Sequence, residues 1–255
     1  MQVHALRCFG AGPGDGNAAL VIEDDGSSEE ARRAFAQSRN TTCVFLDGEV
    51  VDFYYPHMRS PLCLHATLAV AHVLFARQPD APVLAVKTAM RGQRLELVRD
   101  GDAFFIRLQA QDVAQPALAA SLPARLLAMP GLTPASGPRV ASVGSPKLLV
   151  EVADAATLHA LRPDLAAITA WDKETGVNGI YAWCRLPDGR VEGRNFNHLD
   201  PALEDSATGV ATGALTLALG RGLLLRQGRA TGRDCLIRTA LEGDAVLVGG
   251  RVVLD

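Results

Sequence analysis

Two almost wholly apolar stretches, one in each half of the chain, most constrain how this sequence can fold. The first covers residues 68–76 and is interrupted only by His72, and the second covers residues 214–219. A helix that is apolar on all its faces is buried in a protein core rather than laid on its surface. The sequence therefore predicts two buried helices, one in each half.

The residues that open these helices predict a site for an anion. Residues 61–68 read PLCLHATL and residues 204–213 read EDSATGVATG. The first turn of a helix carries N–H groups without intrahelical partners, together with about half a positive charge from the macrodipole. If two such ends are buried near each other, we expect a carboxylate to bind there.

The two halves follow the same plan: strand, strand, helix, hairpin, buried helix and further strands. Each hairpin is predicted from an Asp-Gly pair, Asp47-Gly48 in the first half and Asp188-Gly189 in the second. This repetition indicates an internal duplication of an α+β unit, with the site expected in the cleft between the copies. We place the two domains at residues 1–115 and 116–255, and the last strand could instead pack on the N-terminal half.

Local signals define several boundaries. Residues 27–30 read SSEE, which has capping-box spacing and predicts a helix to about Ser38. A second helix is predicted over residues 154–161, ending before Pro163. Residues 109–123, rich in Ala, Gln and Pro, are the best candidate for the domain boundary.

Composition excludes several classes of function. The net charge is −3, the basic residues are scattered and only 5% of residues are aromatic, which argues against nucleic-acid binding. The longest apolar stretch, residues 62–76, is too short to span a membrane, and no signal peptide is evident. The five cysteines lack CxxC spacing, so we expect reduced thiols in a cytoplasmic protein without a zinc site.

Three residues at the helix openings could carry chemistry, and each has a plainer explanation. His65 would lie in the first turn of the first helix, where a neutral imidazole suits proton transfer, or it could be a core histidine. Asp205 is expected to cap the second helix whether or not it is catalytic, and Glu204 beside it to be a solvated charge. Cys63 could be an activated thiolate or a small apolar residue in a tight core.

The glycine-rich residues 10–16 superficially suggest a dinucleotide-binding loop. The residues that follow, 17–26, read as a short strand and turn instead of a long helix. The structural context that a dinucleotide motif needs is therefore missing, and we reject this interpretation.

Taken together, Gly16-Asn17, the PLCLHATL opening, Arg194-x-Phe196 and the EDSATG opening resemble the phenazine-biosynthesis PhzF-like family. The resemblance covers nearly the whole chain. It implies the diaminopimelate epimerase-like fold, in which each of two similar halves is a curved sheet wrapped around a central buried helix. It also implies a homodimer, no cofactor, and isomerisation or epimerisation of a small carboxylic acid, in biosynthesis, by proton transfer.

The resemblance assigns catalytic roles residue by residue. The family's His and Asp fall on His65 and Asp205, whereas its Glu falls on Asn40, and an amide cannot shuttle a proton as a carboxylate does. Two other departures are Leu64 in place of Gly and Val210 in place of Ser. Together they suggest a smaller, more apolar pocket.

Three hypotheses follow. In the leading one, a cofactor-independent isomerase moves a proton on a small carboxylate, with His65, Asp205 and the Asn40 position as the catalytic set. The residues expected to bind the substrate are Asn17, Leu64, Thr208, Gly209 and Val210. In the second, Cys63 is the base of a racemase- or dehydratase-like reaction. In the third, the Asn40 exchange has left a metabolite-binding homologue without turnover.

Overall fold

The computed structural model describes residues 1–197 and 204–255, which form two compact units. Unit 1 comprises Met1–Leu108 and Leu247–Asp255, and unit 2 comprises Gln109–Val246. The last strand of the chain is therefore shared, with most of its length in unit 1. No helix in the described part of the chain has the length and hydropathy needed to cross a bilayer.

Unit 1 is a sheet that closes around one helix. Its strands and helices are β1 (Gln2–Cys8), β2 (Asn17–Glu23), α1 (Glu29–Arg39), β3 (Thr42–Asp47), β4 (Val50–Tyr54), β5 (Arg59–Ser60), α2 (Leu64–Arg77), β6 (Val83–Thr88), β7 (Arg94–Asp100) and β8 (Ala103–Gln109). The sheet order is β1-β2-β3-β4-β6-β7-β8-β15, and β15 (Ala245–Leu254) also pairs with β1. Helix α2 packs against β1, β2, β3, β6 and β7. The first predicted buried helix is therefore confirmed.

Unit 2 repeats this arrangement around a second helix. Its elements are α3 (Leu122–Leu126), β9 (Arg139–Ala141), β10 (Lys147–Glu151), α4 (Ala155–Ala160), α5 (Leu165–Thr175), β11 (Ile180–Arg185), β12 (Val191–Phe196), α6 (Gly209–Leu219), β13 (Leu224–Gln227), a short 3-10 helix (Arg229–Thr231) and β14 (Cys235–Glu242). The sheet order is β14-β13-β12-β11-β10-β9. Helix α6 packs against β9, β10 and β14.

Strand directions show the duplication more clearly than the sequence does. In unit 1, β2 runs parallel to β3, β3 and β4 form the hairpin, and β4 runs parallel to β6 after the buried helix. In unit 2, the corresponding parallel pairs are β10 with β11 and β12 with β13, on either side of the β11–β12 hairpin. Both Asp-Gly hairpins and the α+β class are thus as predicted.

Helix α5 was not predicted. The helix over residues 154–161 was expected to end before Pro163, and α5 begins directly afterwards at Leu165, because Asp164 caps it by accepting a hydrogen bond from the Ala167 N–H at 2.9 Å. A proline one residue before an N-cap ends the preceding helix without preventing a new one. The position of α1 between β2 and β3 is therefore filled in unit 2 by two helices, α4 and α5.

A buried lysine lies at the start of β10. Lys147 is 1% exposed, and its ammonium donates a hydrogen bond to the backbone carbonyl of Asn178. Burial lowers the pKa of Lys147 to about 8, against the opposing pull of the Asp172 and Asp205 carboxylates. Between this value and the ordinary 10.5, the unfolded chain binds a proton that the folded protein does not. The charged form of Lys147 therefore destabilises the fold below pH 8.

We predict that wild-type stability rises relative to a Lys147→Met variant as the pH increases from 8 to 10.5. The gain comes from Lys147 alone and amounts to about 1.4 kcal/mol per pH unit, or roughly 3 kcal/mol over the interval. Urea unfolding at several pH values measures it.

The substitution also leaves the Asp172 carboxylate buried without this cation, which adds an offset that does not vary with pH over this interval. The slope of the difference, rather than its size at one pH, is therefore the test. Lys87→Met removes an exposed lysine from β6 and is the matched control. Its free energy of unfolding, plotted against pH, should run parallel to that of wild type. Parallel curves for Lys147→Met would contradict the prediction.

Candidate active site

A tight glycine loop places Asn17 beside the opening of α2. Gly16 has φ +101°, and a Cβ added there would lie 2.8 Å from the Cys8 carbonyl oxygen. A Cβ at Gly10 would lie 2.9 Å from the carbonyl oxygen of Asp15. The glycines therefore allow the loop to fold back on the end of β1. The chain continues into strand β2 at Asn17, which is the context predicted when a dinucleotide loop was rejected.

His65 lies in the first turn of α2, as predicted, and is 6% exposed. Its Nδ1 is 3.4 Å from Nδ2 of Asn17 and 3.4 Å from Sγ of Cys63. Its backbone carbonyl accepts a hydrogen bond from the Cys8 thiol at 3.0 Å. The structure thus brings together three residues singled out in the sequence, Asn17, Cys63 and His65, within one unit.

The contact with Asn17 favours one tautomer of the imidazole. If the amide nitrogen of Asn17 donates to Nδ1, that nitrogen accepts and the neutral ring carries its proton on Nε2. A positive charge on the ring is disfavoured by the partial positive charge of the helix N-terminus. His65 is therefore suited to exchange protons in its neutral form.

Asn40 occupies a structural position that its side chain suits. It is the C-cap of α1, with φ 47° and ψ 37°, and its N–H donates to the Gln37 carbonyl at 3.2 Å. Asn is one of the few residues other than Gly that adopt this left-handed conformation readily. Asn40 is exposed, and it lies two residues before Thr42, whose β3 position pairs with Ala19 of β2.

Asp205 does not cap α6, so that expectation was wrong. The helix begins at Gly209 with Thr208 as its N-cap residue. Asp205 lies in the turn ahead of the helix, where its Oδ2 accepts a hydrogen bond from Thr208 Oγ1 at 2.8 Å and its Oδ1 accepts from the Ala207 N–H at 3.4 Å. These bonds orient the carboxylate from within the turn.

Glu204 is not a solvated charge, contrary to the prediction. Both of its carboxylate oxygens accept hydrogen bonds from the guanidinium of Arg194, at 2.9 and 2.7 Å. Its side chain is 16% exposed and that of Arg194 is 11% exposed. Arg194 also donates to the Leu158 carbonyl at 2.9 Å. This fork-shaped pair anchors the chain directly before Asp205.

Both helix openings offer backbone N–H groups. Within the part of the chain that the structure describes, no acceptor is found for the N–H of Leu64, Gly209 or Val210. Neither N-cap residue, Cys63 or Thr208, makes a side-chain capping bond to its helix. The first turn of each buried helix thus has N–H groups that no described part of the chain satisfies, as an anion site at a helix N-terminus requires.

Two residues of the candidate site were missed in the sequence. Gln227, the last residue of β13, donates to the backbone carbonyl of Asp205 at 2.7 Å, and Tyr181 of β11 donates to Gln227 Oε1 at 2.9 Å. Neither residue stands in a recognisable motif, and their partners are 22 and 46 positions away in the sequence. Only the pairing of the strands brings them to the opening of α6.

Among residues 1–197 and 204–255, no group of three or more His, Cys, Asp or Glu side chains is placed to hold a metal ion. The groups present at the two openings are a buried imidazole, a buried thiol, a hydrogen-bonded carboxylate and several backbone N–H groups. These can bind an anion and transfer protons.

The chain is similar to known proteins over nearly its whole length. A family model described as phenazine biosynthesis-like protein matches residues 6–254. The uncharacterized isomerase YddE of Escherichia coli is 28% identical over 99% of this chain and 96% of the relative. An uncharacterized isomerase of Deinococcus radiodurans is 33% identical over 89% of this chain and 79% of the relative.

A solved structure from Pseudomonas aeruginosa, described as that of a predicted epimerase, matches with a TM-score of 0.77. It is 25% identical, and the match covers 99% of this chain and 96% of that one. The fold is therefore the diaminopimelate epimerase-like fold expected from the sequence, and the comparisons support an isomerase-type enzyme. Because the family model spans almost every residue, this protein belongs to the phenazine biosynthesis-like protein family.

Proposed function

We propose that the protein is an isomerase that moves a proton on a small carboxylic acid without a cofactor. The observation that carries this proposal is the buried imidazole of His65 in the first turn of α2, with its Nδ1 facing the Asn17 amide. A neutral, oriented imidazole beside unpaired helix N–H groups is suited to general acid–base chemistry on an anion.

The substrate carboxylate binds to backbone N–H groups at the helix openings. In unit 1 the N–H of Leu64 is such a donor, beside the polar side chain of Asn17. In unit 2 the N–H groups of Gly209 and Val210 are such donors, and Thr208 supplies a polar side chain beside them. A carboxylate bound in this way makes an adjacent C–H more acidic, because charge that develops as the proton leaves is stabilised by fixed donors and helix dipoles.

His65 and Asp205 exchange the protons. One of them takes a proton from carbon, leaving an enolate-like anion. A proton is then delivered to another carbon, or to the opposite face of the same carbon, and the substrate is isomerised with no net change in composition. The hydrogen bond from Thr208 holds the Asp205 carboxylate for this task.

We predict that wild-type protein exchanges a carbon-bound proton of at least one small cyclic or amino acid with deuterated water. His65→Ala and Asp205→Asn should each lower the exchange rate by about 10²-fold or more, the usual contribution of a positioned acid or base. Proton NMR of a substrate library measures the rates.

His57→Ala is the matched control for the first variant, because His57 is an exposed histidine of the same unit. It should exchange at the wild-type rate. No exchange by wild type with any compound, or equal rates in His65→Ala and wild type, would refute the proposed function.

A second candidate function assigns the base to Cys63. Its Sγ lies 3.4 Å from His65 Nδ1 and the residue is 2% exposed, so a thiol–imidazole pair is available for a racemase- or dehydratase-like reaction. Under the leading proposal, Cys63→Ala should keep at least about a tenth of the wild-type exchange rate. A loss as large as that of His65→Ala, together with alkylation of Cys63 at pH 7 faster than a free thiol, would transfer the base role to Cys63.

A third candidate, a homologue that binds carboxylates without turnover, rests on the exposed amide of Asn40 at the family's Glu position. We predict that Asn40→Glu changes the exchange rate less than tenfold and lowers stability by about 1 kcal/mol, because Glu adopts the left-handed C-cap conformation less readily than Asn. Asn40→Gln has the same backbone strain without the acid and is the control. Exchange that appears only in Asn40→Glu would establish a binding protein instead of an enzyme.

A further inference from the structure

A buried amide links the turn that holds Asp205 to the neighbouring strands. Gln227 is 2% exposed and makes four hydrogen bonds through its side chain. Its Nε2 donates to the Asp205 carbonyl at 2.7 Å and to Thr208 Oγ1 at 3.0 Å. Its Oε1 accepts from the Tyr181 hydroxyl at 2.9 Å and from the Thr208 N–H at 3.3 Å. Both N–H donors of Nε2 and both acceptor sites of Oε1 therefore have hydrogen-bond partners.

These partners fix the orientation of the amide. The Asp205 carbonyl can only accept and the Thr208 N–H can only donate, so Nε2 must face the first and Oε1 the second. Thr208 Oγ1 then accepts from Gln227, and its own proton points to the Asp205 carboxylate at 2.8 Å. Donors follow one another in a single direction from Tyr181 through Gln227 and Thr208 to Asp205.

The fold makes room for this chain of hydrogen bonds at two glycines. A Cβ at Gly193 would lie 2.3 Å from the Tyr181 hydroxyl oxygen, so a side chain there would displace the tyrosine. Gly228, next to Gln227, has φ +105°, and a Cβ there would lie 2.9 Å from the Ser206 carbonyl oxygen. The absence of side chains at these positions lets the end of β13 and the turn approach each other closely.

The far end of the chain is a permanent donor. Tyr181 is fully buried, and this burial raises the pKa of its hydroxyl well above the ordinary value. The hydroxyl therefore stays protonated throughout the pH range of an enzyme assay and keeps Gln227 Oε1 occupied.

We propose that Gln227 is a positioning residue of the candidate active site, which directs the Thr208 hydroxyl onto the Asp205 carboxylate. This inference rests on the proposed function for its catalytic consequence. Gln227 touches the residues that act on the substrate and not the substrate itself, so its loss should slow proton transfer without preventing binding.

The main test is the exchange reaction of a Gln227→Met variant in deuterated water, with kcat and KM measured separately. We expect kcat to fall at least tenfold while KM changes less than threefold, because the carboxylate of Asp205 is misdirected but the helix N–H groups remain. Gln115→Met is the matched control. It removes an amide of the same unit that bonds instead to the Val140 backbone, at 2.9 and 3.2 Å, and should leave kcat unchanged.

A double-mutant cycle with Thr208→Val separates positioning from general loss of stability. If Gln227 acts through the Thr208 hydroxyl, adding Gln227→Met to Thr208→Val should lower kcat less than threefold further. If the reductions in kcat of the two single variants multiply in the double variant, the inference is overturned. An unchanged kcat in Gln227→Met would also overturn it.

Gln227→Glu provides a second route if the methionine variant does not fold. An ionised carboxylate accepts from Tyr181 and the Thr208 N–H but cannot donate towards Asp205, whereas a protonated one can. We expect its kcat, relative to wild type, to rise at least tenfold as the pH is lowered through the pKa of the introduced carboxyl, which NMR of the variant measures. A ratio that does not vary with pH would contradict the assigned direction of the hydrogen bonds.

Failure of the proposed function can be told apart from failure of this inference. If wild type catalyses no exchange, the proposed function fails, and the inference is decided by amide hydrogen exchange at Thr208, whose N–H is bonded to Gln227. Gln227→Met should accelerate that exchange at least tenfold and Gln115→Met should not. Unchanged protection in Gln227→Met would overturn the positioning role.

Discussion

The burial of an apolar helix against a sheet is the constraint on which both units depend. A helix that is apolar on every face is stable only if strands enclose it, and its first turn then carries N–H groups that no intrahelical carbonyl can satisfy. The threonine hydroxyl groups of the buried helices do not accept from these N–H groups, because they donate to backbone carbonyls four residues earlier in the chain. Thr67 donates to the Cys63 carbonyl at 2.8 Å and Thr212 to the Thr208 carbonyl at 3.2 Å. The N–H groups of the first turn of each helix therefore remain without a partner from these hydroxyl groups.

The two units meet this common demand with different side chains. In unit 1, the opening carries a thiol and an imidazole, and the amide of a strand residue, Asn17, lies 3.4 Å from the imidazole. In unit 2, it carries a carboxylate held by Thr208 and, through Thr208, by Gln227. The two openings of this duplicated architecture therefore differ in their reactive side chains, an imidazole and a thiol in unit 1 and a carboxylate in unit 2.

Local signals predicted the fold well because they have local causes. The Asp-Gly pairs specify tight hairpins, and Ser28 caps α1 by accepting from the Ala31 N–H, so both features could be inferred from a few adjacent residues. The site was predicted less completely. Asp205 was assigned to a cap that lies three residues further along the chain, at Thr208, and the partner of Glu204, Arg194, lies ten residues away on strand β12. Contacts of this kind depend on how strands pair, which no single-sequence pattern encodes.

The amide of Asn40 has two separate consequences, one for acid–base chemistry and one for the backbone at the end of α1. A missing carboxylate at this position suggests lost acid–base chemistry, yet the same position must also end α1 in a left-handed conformation. Asn satisfies that backbone demand better than Glu, since its short polar side chain tolerates positive φ. The amide therefore has a structural cause independent of catalysis, and His65 and Asp205 retain their own hydrogen-bonded settings regardless of it. The absence of the family's Glu at position 40 is therefore weaker evidence against activity than the sequence motif alone would suggest.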